Sequence, residues 1–202
     1  MVCEATGPHR LLIVPPLFDE ANKLRHFLVE TMRLLAKRGI ESVLADLPGT
    51  NESLAPLADQ SLSSWRDSVA SCARQTGATH LLGVRGGALV LPPHPTALAF
   101  APASGASLLR AMLRARVIAD REAGLTSERD ALLVSAREDG IVLAGYSLGA
   151  AMVRELEHAE PADVPAIAQA DLGGPGLWLR AEPSHDGAQA EALAAAIAER
   201  MA

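Results

Sequence analysis

A serine flanked by two glycines is the part of the chain whose residue types point most directly to chemistry. Residues 145–149 read Gly-Tyr-Ser-Leu-Gly, which matches the G-x-S-x-G pattern of a nucleophilic serine on a sharp turn between a strand and a helix. An apolar run precedes the pattern and another follows it, as such a turn requires. The pattern makes Ser147 a candidate nucleophile for ester or thioester hydrolysis; the alternative is that Ser147 caps the helix that follows.

A serine nucleophile needs a base and an acid, and for Ser147 both would come from residues that follow it in the chain. His185 is the candidate base and Asp186 the candidate acid of such a catalytic set. Adjacent residues on one loop seldom orient each other, so an ordinary loop role for both is the alternative. Other residues after Ser147 with suitable side chains are His158, Asp163 and Asp171.

A second turn of the same kind occurs earlier, where residues 83–87 read Gly-Val-Arg-Gly-Gly. Glycines suit a sharp elbow because the turn leaves no room for side chains. The middle residue, Arg85, cannot be deprotonated to act as a nucleophile. An arginine beside bare glycine N–H groups at the start of a helix would instead bind a carboxylate, a phosphate or an acidic sugar. The alternative is that Arg85 pairs with Asp19 or Asp46 and joins two loops.

The first half of the chain alternates apolar runs with amphipathic segments, which predicts how these turns are positioned. Strands buried on both faces alternating with helices indicate a parallel sheet with right-handed crossovers. We therefore predict an α/β fold, with a mostly parallel sheet and helices on both of its faces. The predicted strands are 10–14, 40–47, 79–84 and 96–101, and the predicted helices are 23–38 and a segment from Ser61 or Ser63 to Gly77.

The second half of the chain has weaker patterns. An amphipathic helix is predicted over residues 106–118, and the segment 104–130 is a candidate lid or helical insertion. Apolar runs predict short strands at 131–136 and 140–144, paired as a hairpin across Arg137–Gly140. The remaining predictions are a helix over 148–159, a last strand over 176–181 and a helix over 189–201.

Ligands of open parallel sheets bind at the carboxyl ends of the strands. The loop after the first predicted strand, residues 14–23, and the elbow at residues 83–87 both lie at that edge. If Ser147 were the nucleophile, the segment 79–140 would be an insertion ahead of it. The order of the predicted elements needs no such insertion if the earlier elbow, at Arg85, is the functional position, and it therefore favours Arg85.

The composition predicts one ordinary globular domain over residues 1–202, because 49% of the residues are hydrophobic and 21% are charged. The chain has 18 basic and 24 acidic residues, for a net charge of −6, and only six aromatic residues. Nucleic acid is therefore not an expected partner. Its two cysteines, Cys3 and Cys72, fit neither a disulfide framework nor a zinc site, and we expect no metal and no cofactor.

The start of the chain has no basic region followed by an apolar stretch, and no window of the sequence is apolar enough for a transmembrane segment. We therefore expect a cytoplasmic protein. The expected partner is a small molecule. The basic side of the helix over residues 106–118 is a candidate contact surface for a homodimer.

The order of these parts resembles the α/β-hydrolase fold, and within it the hydrolases encoded beside the exosortase A and exopolysaccharide machinery of bacteria. The resemblance is local but repeated, and it covers most of the chain. Its most specific parts are residues 15–25 and the elbow at residues 83–89. In those relatives too, the middle position of the elbow, here Arg85, tends to be arginine. The other matching segments are residues 46–53, 65–67, 101–105, 113–116 and 142–146.

This resemblance implies a site at the elbow. The backbone N–H of Gly86, with a partner at Leu17 or Phe18, would form an oxyanion hole. Asp186 would match the position of the catalytic acid in the family. The catalytic base of the family comes from a loop after one further strand, and the sequence shows no such strand. The expected architecture is thus shortened at its C-terminal end and lacks a conventional triad.

The sequence leaves three functions open. The first is an α/β-hydrolase-fold protein with a degenerate elbow, which binds an anionic ligand in exopolysaccharide-linked metabolism. The second is an active serine esterase or thioesterase that uses Ser147. The third is a non-catalytic interaction protein that docks a partner through the helix over residues 106–118.

Overall fold

The central element of the structure, a computed structural model that describes residues 1–201, is a six-stranded sheet. Four pairings between neighbouring strands are parallel, and the edge strand β1 is antiparallel to β3. This arrangement confirms the predicted α/β fold and its mostly parallel sheet. The strand order is β1 (Val2–Cys3), β3 (Glu41–Leu44), β2 (Arg10–Val14), β4 (His80–Val84), β5 (Ala97–Phe100) and β8 (Ala166–Ile167).

Alternate residues of the central strand β2 point to opposite faces of the sheet, as the period of a strand requires. Leu11 and Ile13 pack in one core with α1 (Asp19–Lys37) and α7 (Gly187–Met201). Leu12 and Val14 belong to the core on the other face. That second core includes side chains of α2 (Leu62–Thr76), α3 (Gly105–Glu122), α4 (Arg129–Asp139) and α5 (Ala150–Leu156).

The helix boundaries in the first half follow local capping chemistry. Ser61 begins α2, because its side chain accepts a hydrogen bond from the backbone N–H of Ser64 at 3.0 Å. Gly77 ends α2 in the left-handed region, with φ of 63°. The first helix, α1, begins at Asp19 rather than at Lys23 as predicted. This earlier start places Glu20 and Asn22 in the first two turns of α1, beside the end of β2.

The second half departs from the predictions. The predicted strand 131–136 lies inside α4, where Leu132, Leu133 and Ala136 share the buried side of the helix at helical spacing. The hairpin turns at Ala144 and Gly145 instead of across residues 137–140, and it joins β6 (Ile141–Leu143) to β7 (Tyr146–Leu148). Both turn residues have positive φ, 49° and 84°, as a two-residue hairpin requires.

The predicted last strand, 176–181, is not part of the sheet. Residues Leu177–Leu179 form one turn of 3₁₀ helix. The edge strand is β8, in a segment that we expected to be a connection, and it pairs two residues with Ala99 and Phe100 of β5. A two-residue strand next to a proline carries too little pattern for recognition from the sequence. A short helix, α6 (Gln169–Leu172), follows β8.

The segment 104–130 contains α3, whose apolar side faces the interior. Leu109 and Leu113 are 3% and 2% exposed, so they are not available to a partner on the surface of the folded chain. A lid or a docking helix in this segment remains a prediction. Within residues 1–201, no helix combines the length and the apolar character needed to cross a membrane.

Candidate functional site

The elbow predicted at residues 83–87 is present. Strand β4 ends at Val84, and the chain turns at Arg85, with φ of 53°, into a 3₁₀ helix over Arg85–Val90. The glycine requirement is steric at Gly87, where a Cβ atom would lie 2.4 Å from the carbonyl oxygen of Pro15. The elbow therefore packs directly against the loop that follows β2.

Three strand ends converge at this point, and each turns through a residue with left-handed backbone. Phe18 follows β2, Arg85 follows β4 and Ala101 follows β5, with φ of 57°, 53° and 43°. Residues other than glycine rarely adopt such angles, and they cluster at functional sites when the surrounding structure holds them. The carboxyl edge of the sheet is thus the strained part of the fold.

The side chain of Arg85 is held by the surrounding loops. Its Nε and Nη2 atoms each donate a hydrogen bond to the carboxylate of Glu20 at 3.0 Å. Its Nη1 atom donates to the carbonyl oxygen of Ala101 at 2.8 Å. The ring of Trp178 lies over the guanidinium, 4.0 Å from Cζ to the ring centroid. Arg85 thus joins the elbow to the first turn of α1, to the loop after β5 and to the 3₁₀ turn at Leu177–Leu179.

The partner of Arg85 is neither of the two acids that the sequence suggested. Asp19 pairs with Lys23 at 2.9 Å, and Asp46 accepts a hydrogen bond from the amide of Asn51 at 2.6 Å. Glu20 takes the place beside Arg85 because α1 starts at Asp19. Acidic residues in the first turn of a helix are favoured by the helix dipole, but Asp19 shares this turn with Glu20, so the preference does not by itself identify the partner of Arg85.

Burial dominates the electrostatics of the pair. The side chains of Arg85 and Glu20 are 14% and 12% exposed. Loss of solvation raises the pKa of the Glu20 carboxyl above its usual value, even though Arg85 acts in the opposite direction. A buried ion pair whose desolvation outweighs its attraction contributes little net stability. The pair therefore fixes geometry at the elbow more than it stabilises the fold.

The residues expected for an oxyanion hole come together here. Leu17 and Phe18 are buried, and they lie beside the elbow at Gly86. A Cβ atom at Gly86 would lie 2.6 Å from Cδ1 of Leu108 and 3.0 Å from Cγ of Leu17. Leucine side chains therefore pack directly over Gly86, on the side where its missing side chain would point.

The candidate nucleophile Ser147 lies elsewhere. It sits in the middle of β7, opposite Val142, and it is exposed. The Gly-Tyr-Ser-Leu-Gly sequence forms one arm of a hairpin, and α5 begins only at Ala150. Ser147 therefore lacks the strand-to-helix turn that the pattern predicts.

The candidate base and acid have local roles in the structure. His185 is exposed and stacks on His26, with ring centroids 4.3 Å apart. Asp186 accepts hydrogen bonds from the backbone N–H groups of Ala188 and Gln189, which caps the start of α7 and lowers the pKa of its carboxyl. Within residues 1–201, no hydrogen bond joins Ser147, His185 and Asp186 to one another.

Two clefts open at this edge of the sheet, one on each side of Phe18. The elbow cleft, of about 270 Å³, lies between the elbow and α3 and is lined by Leu17, Glu20, Arg85, Leu108, Met112 and Trp178, among others. The second, of about 190 Å³, lies between α1 and the loop after β3, and we call it the α1–β3 cleft. Its lining includes Phe18, Asn22, Arg25, Asp46, Asn51 and Tyr146.

Sequence reasoning missed Glu20, the carbonyl of Ala101 and Trp178 at the elbow. The sequence predicts a strand around Trp178 and not a turn at the elbow. A contact through a backbone carbonyl, as at Ala101, does not depend on the residue type and cannot be predicted from it. Among the described residues, no group of three or more His, Cys, Asp or Glu side chains could hold a metal ion.

Comparison with known proteins shows the fold. No family model matches the sequence, and no curated protein matches it either. The structure of Est1E from Butyrivibrio proteoclasticus, with ferulic acid bound, is similar at a TM-score of 0.52 and 13% identity, over 79% of this chain and 67% of that one. At this identity the likeness is one of fold, and the chain has an α/β-hydrolase-like architecture.

Two further structures have lower scores. The mouse α/β-hydrolase domain-containing protein 10 matches 78% of this chain at 15% identity and a TM-score of 0.49. The esterase EaEST from Exiguobacterium antarcticum matches 68% of this chain at 16% identity and a TM-score of 0.43. The matched region spans only 64% and 55% of these two proteins.

Replacement of both members of the Arg85–Glu20 pair should destabilise the fold by less than the sum of the two single replacements. We expect Arg85→Met to lower the free energy of unfolding by about 3 kcal/mol, because it leaves a buried carboxylate without its partner. The double variant with Glu20→Gln should lose clearly less than the sum of the two single losses. Urea unfolding at neutral pH measures this cycle, and additive losses would show that the two side chains do not interact.

The raised pKa of Glu20 has a consequence for pH dependence. Its folded-state pKa lies above the usual value of 4.5, so on acidification the folded chain takes up this proton before the unfolded chain does. Glu20 therefore adds stability as the pH falls towards 4.5. We expect the difference in unfolding free energy, wild type minus Glu20→Gln, to increase as the pH is lowered from 7 to 4.5. A difference that decreases over this range would mean that the folded-state pKa is lowered.

Proposed function

We propose that this chain is a non-hydrolytic, ligand-binding protein on an α/β-hydrolase-like fold. The observation that supports the proposal most strongly is Arg85, which occupies the middle position of the elbow with its guanidinium bound to Glu20. A nucleophile must carry a lone pair that a nearby base can expose, and a guanidinium keeps its protons at all accessible pH values. The side chain of Arg85 therefore cannot act as the nucleophile in covalent catalysis.

The elbow is also a poor anion site while the pair is intact. The carboxylate of Glu20 already takes the Nε–Nη2 edge of the Arg85 guanidinium, and Nη1 donates to the carbonyl oxygen of Ala101. Asp19 and Lys23, which also line the elbow cleft, neutralise each other. An anionic ligand at Arg85 would meet the negative charge of Glu20, which already compensates the guanidinium, so we place ligand binding beside the elbow and not on Arg85.

We further propose that the chain is related to the exosortase-associated hydrolases and acts in the cytoplasm, in exopolysaccharide-linked metabolism. The support for this relation is the set of matching segments, above all residues 15–25 and the arginine-bearing elbow. The same segments form the rim of both clefts, since they contain Leu17, Phe18, Asn22, Arg25 and Arg85. The shared residues and the proposed binding region therefore coincide.

Ester hydrolysis tests the proposal. We expect the wild-type chain to release no nitrophenol above buffer from p-nitrophenyl esters of short and medium chain length, and to cleave no thioester. Arg85→Met and Ser147→Ala should give the same result, because neither position contributes a nucleophile. Turnover by the wild type would overturn the proposal, and its loss in Ser147→Ala alone would identify a serine esterase or thioesterase.

A fluorophosphonate probe distinguishes these outcomes in a second way, because it labels activated serines whether or not a good substrate is known. We expect no labelled peptide from the wild-type chain, with an active serine esterase labelled in parallel as a control. A labelled peptide containing Ser147, absent from Ser147→Ala, would contradict the proposal even if every ester in the panel were a poor substrate.

A further inference from the structure

The α1–β3 cleft contains opposite charges that do not neutralise each other. Arg25 lies on the second turn of α1 and Asp46 lies just beyond the end of β3, and both side chains line the cleft. Both residues are exposed. Among residues 1–201, Arg25 forms no ion pair or hydrogen bond, and the bond to Asp46 comes from Asn51. The cleft thus presents a cation and an anion that are each open to a ligand.

This arrangement differs from that of the neighbouring charges. At the start of α1, Lys23 is paired with Asp19, and Glu20 is paired with Arg85. Arg25 is the basic residue in this group whose charge has no counterpart in the described chain. A guanidinium fork matches a carboxylate or a phosphate group through paired hydrogen bonds, so an anionic group is the complement of this side of the cleft.

The opposite side of the cleft accepts hydrogen bonds. Asn51 donates to Oδ1 of Asp46, which leaves Oδ2 of that carboxylate as an acceptor. A hydroxyl or ammonium group of a ligand is the complement of this oxygen. A ligand that fits both sides therefore carries an anionic group at one end and a hydrogen-bond donor at the other.

The interior of the cleft limits the size of the ligand. Phe18 and Trp65 are buried beneath it, and their ring centroids lie 5.9 Å apart. The ring of Tyr146 packs edge-on against Phe18 at 5.7 Å. A tyrosine phenol is protonated at neutral pH in any case, and burial raises its pKa further. A space of about 190 Å³ between these rings and the polar rim suits a compact molecule and not a long acyl chain.

We propose that the α1–β3 cleft binds a small organic anion, whose carboxylate or phosphate group pairs with Arg25 and whose hydroxyl or ammonium group donates to Asp46. The inference rests on the proposed function for the view that the chain binds a small molecule without hydrolysing it. It adds the location of the site, the class of ligand and the two recognition residues. The elbow cleft, in which Arg85 is paired with Glu20, takes no part in it.

An NMR titration of the isotope-labelled chain tests this inference. Glycerol 3-phosphate is the probe, because it combines a phosphate group and hydroxyl groups in one small molecule. We expect the backbone amide signals of Arg25, Asp46, Asn51 and Tyr146 to shift with saturable curves. Inorganic phosphate and glycerol, which each carry one of the two features, should bind more weakly.

Three variants assign the binding to the two residues. Arg25→Met should raise the Kd for glycerol 3-phosphate about tenfold or more, whereas Arg114→Met, which removes an exposed arginine of α3, should leave it unchanged. Asp46→Asn should reduce the preference for glycerol 3-phosphate over inorganic phosphate. Equal weakening by both arginine variants would show a general charge effect and overturn the proposal.

Other outcomes also decide the question. No saturable shift with glycerol 3-phosphate, or equal binding of inorganic phosphate, would overturn the two-sided site. Neither result would change the conclusion, tested by ester hydrolysis, that the chain is not a hydrolase. That conclusion depends on Arg85 and not on Arg25. Conversely, ester turnover by a chain that still binds the probe through Arg25 would overturn the proposed function and leave this site in place.

Discussion

The bidentate ion pair between Arg85 and Glu20 is the interaction on which the carboxyl edge of the sheet depends. It connects the elbow after β4 to the first turn of α1, and the same guanidinium reaches the carbonyl of Ala101 after β5. Trp178 lies over the guanidinium and also packs edge-on against Phe100. One side chain thus ties together the ends of the three central strands and the segment between β8 and α7.

This interaction explains both the position and the chemistry of the two clefts. The open edge of a parallel sheet is the usual place for a ligand, at the point where the connections leave in opposite directions. In this chain that point lies between β2 and β4, and the Arg85–Glu20 pair occupies it. The side chain of Phe18 then separates a charge-paired cleft at the elbow from a second cleft, beside α1, whose charges remain available. We propose that the first cleft has no catalytic role and that the second binds the ligand.

The fold class and the first half of the chain could be predicted because their residues carry strong local patterns. Strand β2 is a continuous apolar run, Ser61 has the chemistry of a helix cap, and the glycines of the elbow have a steric reason to be there. The second half was harder to predict because its strands have only two or three residues each. The edge strand β8 has two residues, and the 3₁₀ turn at Leu177–Leu179 has the composition of a strand.

The site could be predicted in part. Leu17, Phe18, Arg85 and Gly86 do lie together, because the ends of neighbouring parallel strands meet at one edge. The partner of Arg85 could not be chosen among three acids, since the choice depends on the residue at which α1 begins. The Gly-Tyr-Ser-Leu-Gly pattern does not form the predicted strand-to-helix turn. The chain reverses at Ala144 and at Gly145, the first residue of the pattern, so Ser147 lies in a hairpin strand and not at an elbow. A short pattern does not determine the backbone around it.

A paired guanidinium occupies the middle position of the elbow after β4, and the non-hydrolytic function that we propose depends on this pairing. The most direct measurement is the exchange of the Arg85 Nε proton with solvent, observed by NMR at neutral pH in the wild type and in Glu20→Gln. We expect a resolved Nε–H signal that exchanges much more slowly than that of the exposed Arg114, and faster exchange when Glu20 is replaced. An Arg85 signal that exchanges as fast as that of Arg114 in the wild type would show that the guanidinium of Arg85 is not held by Glu20.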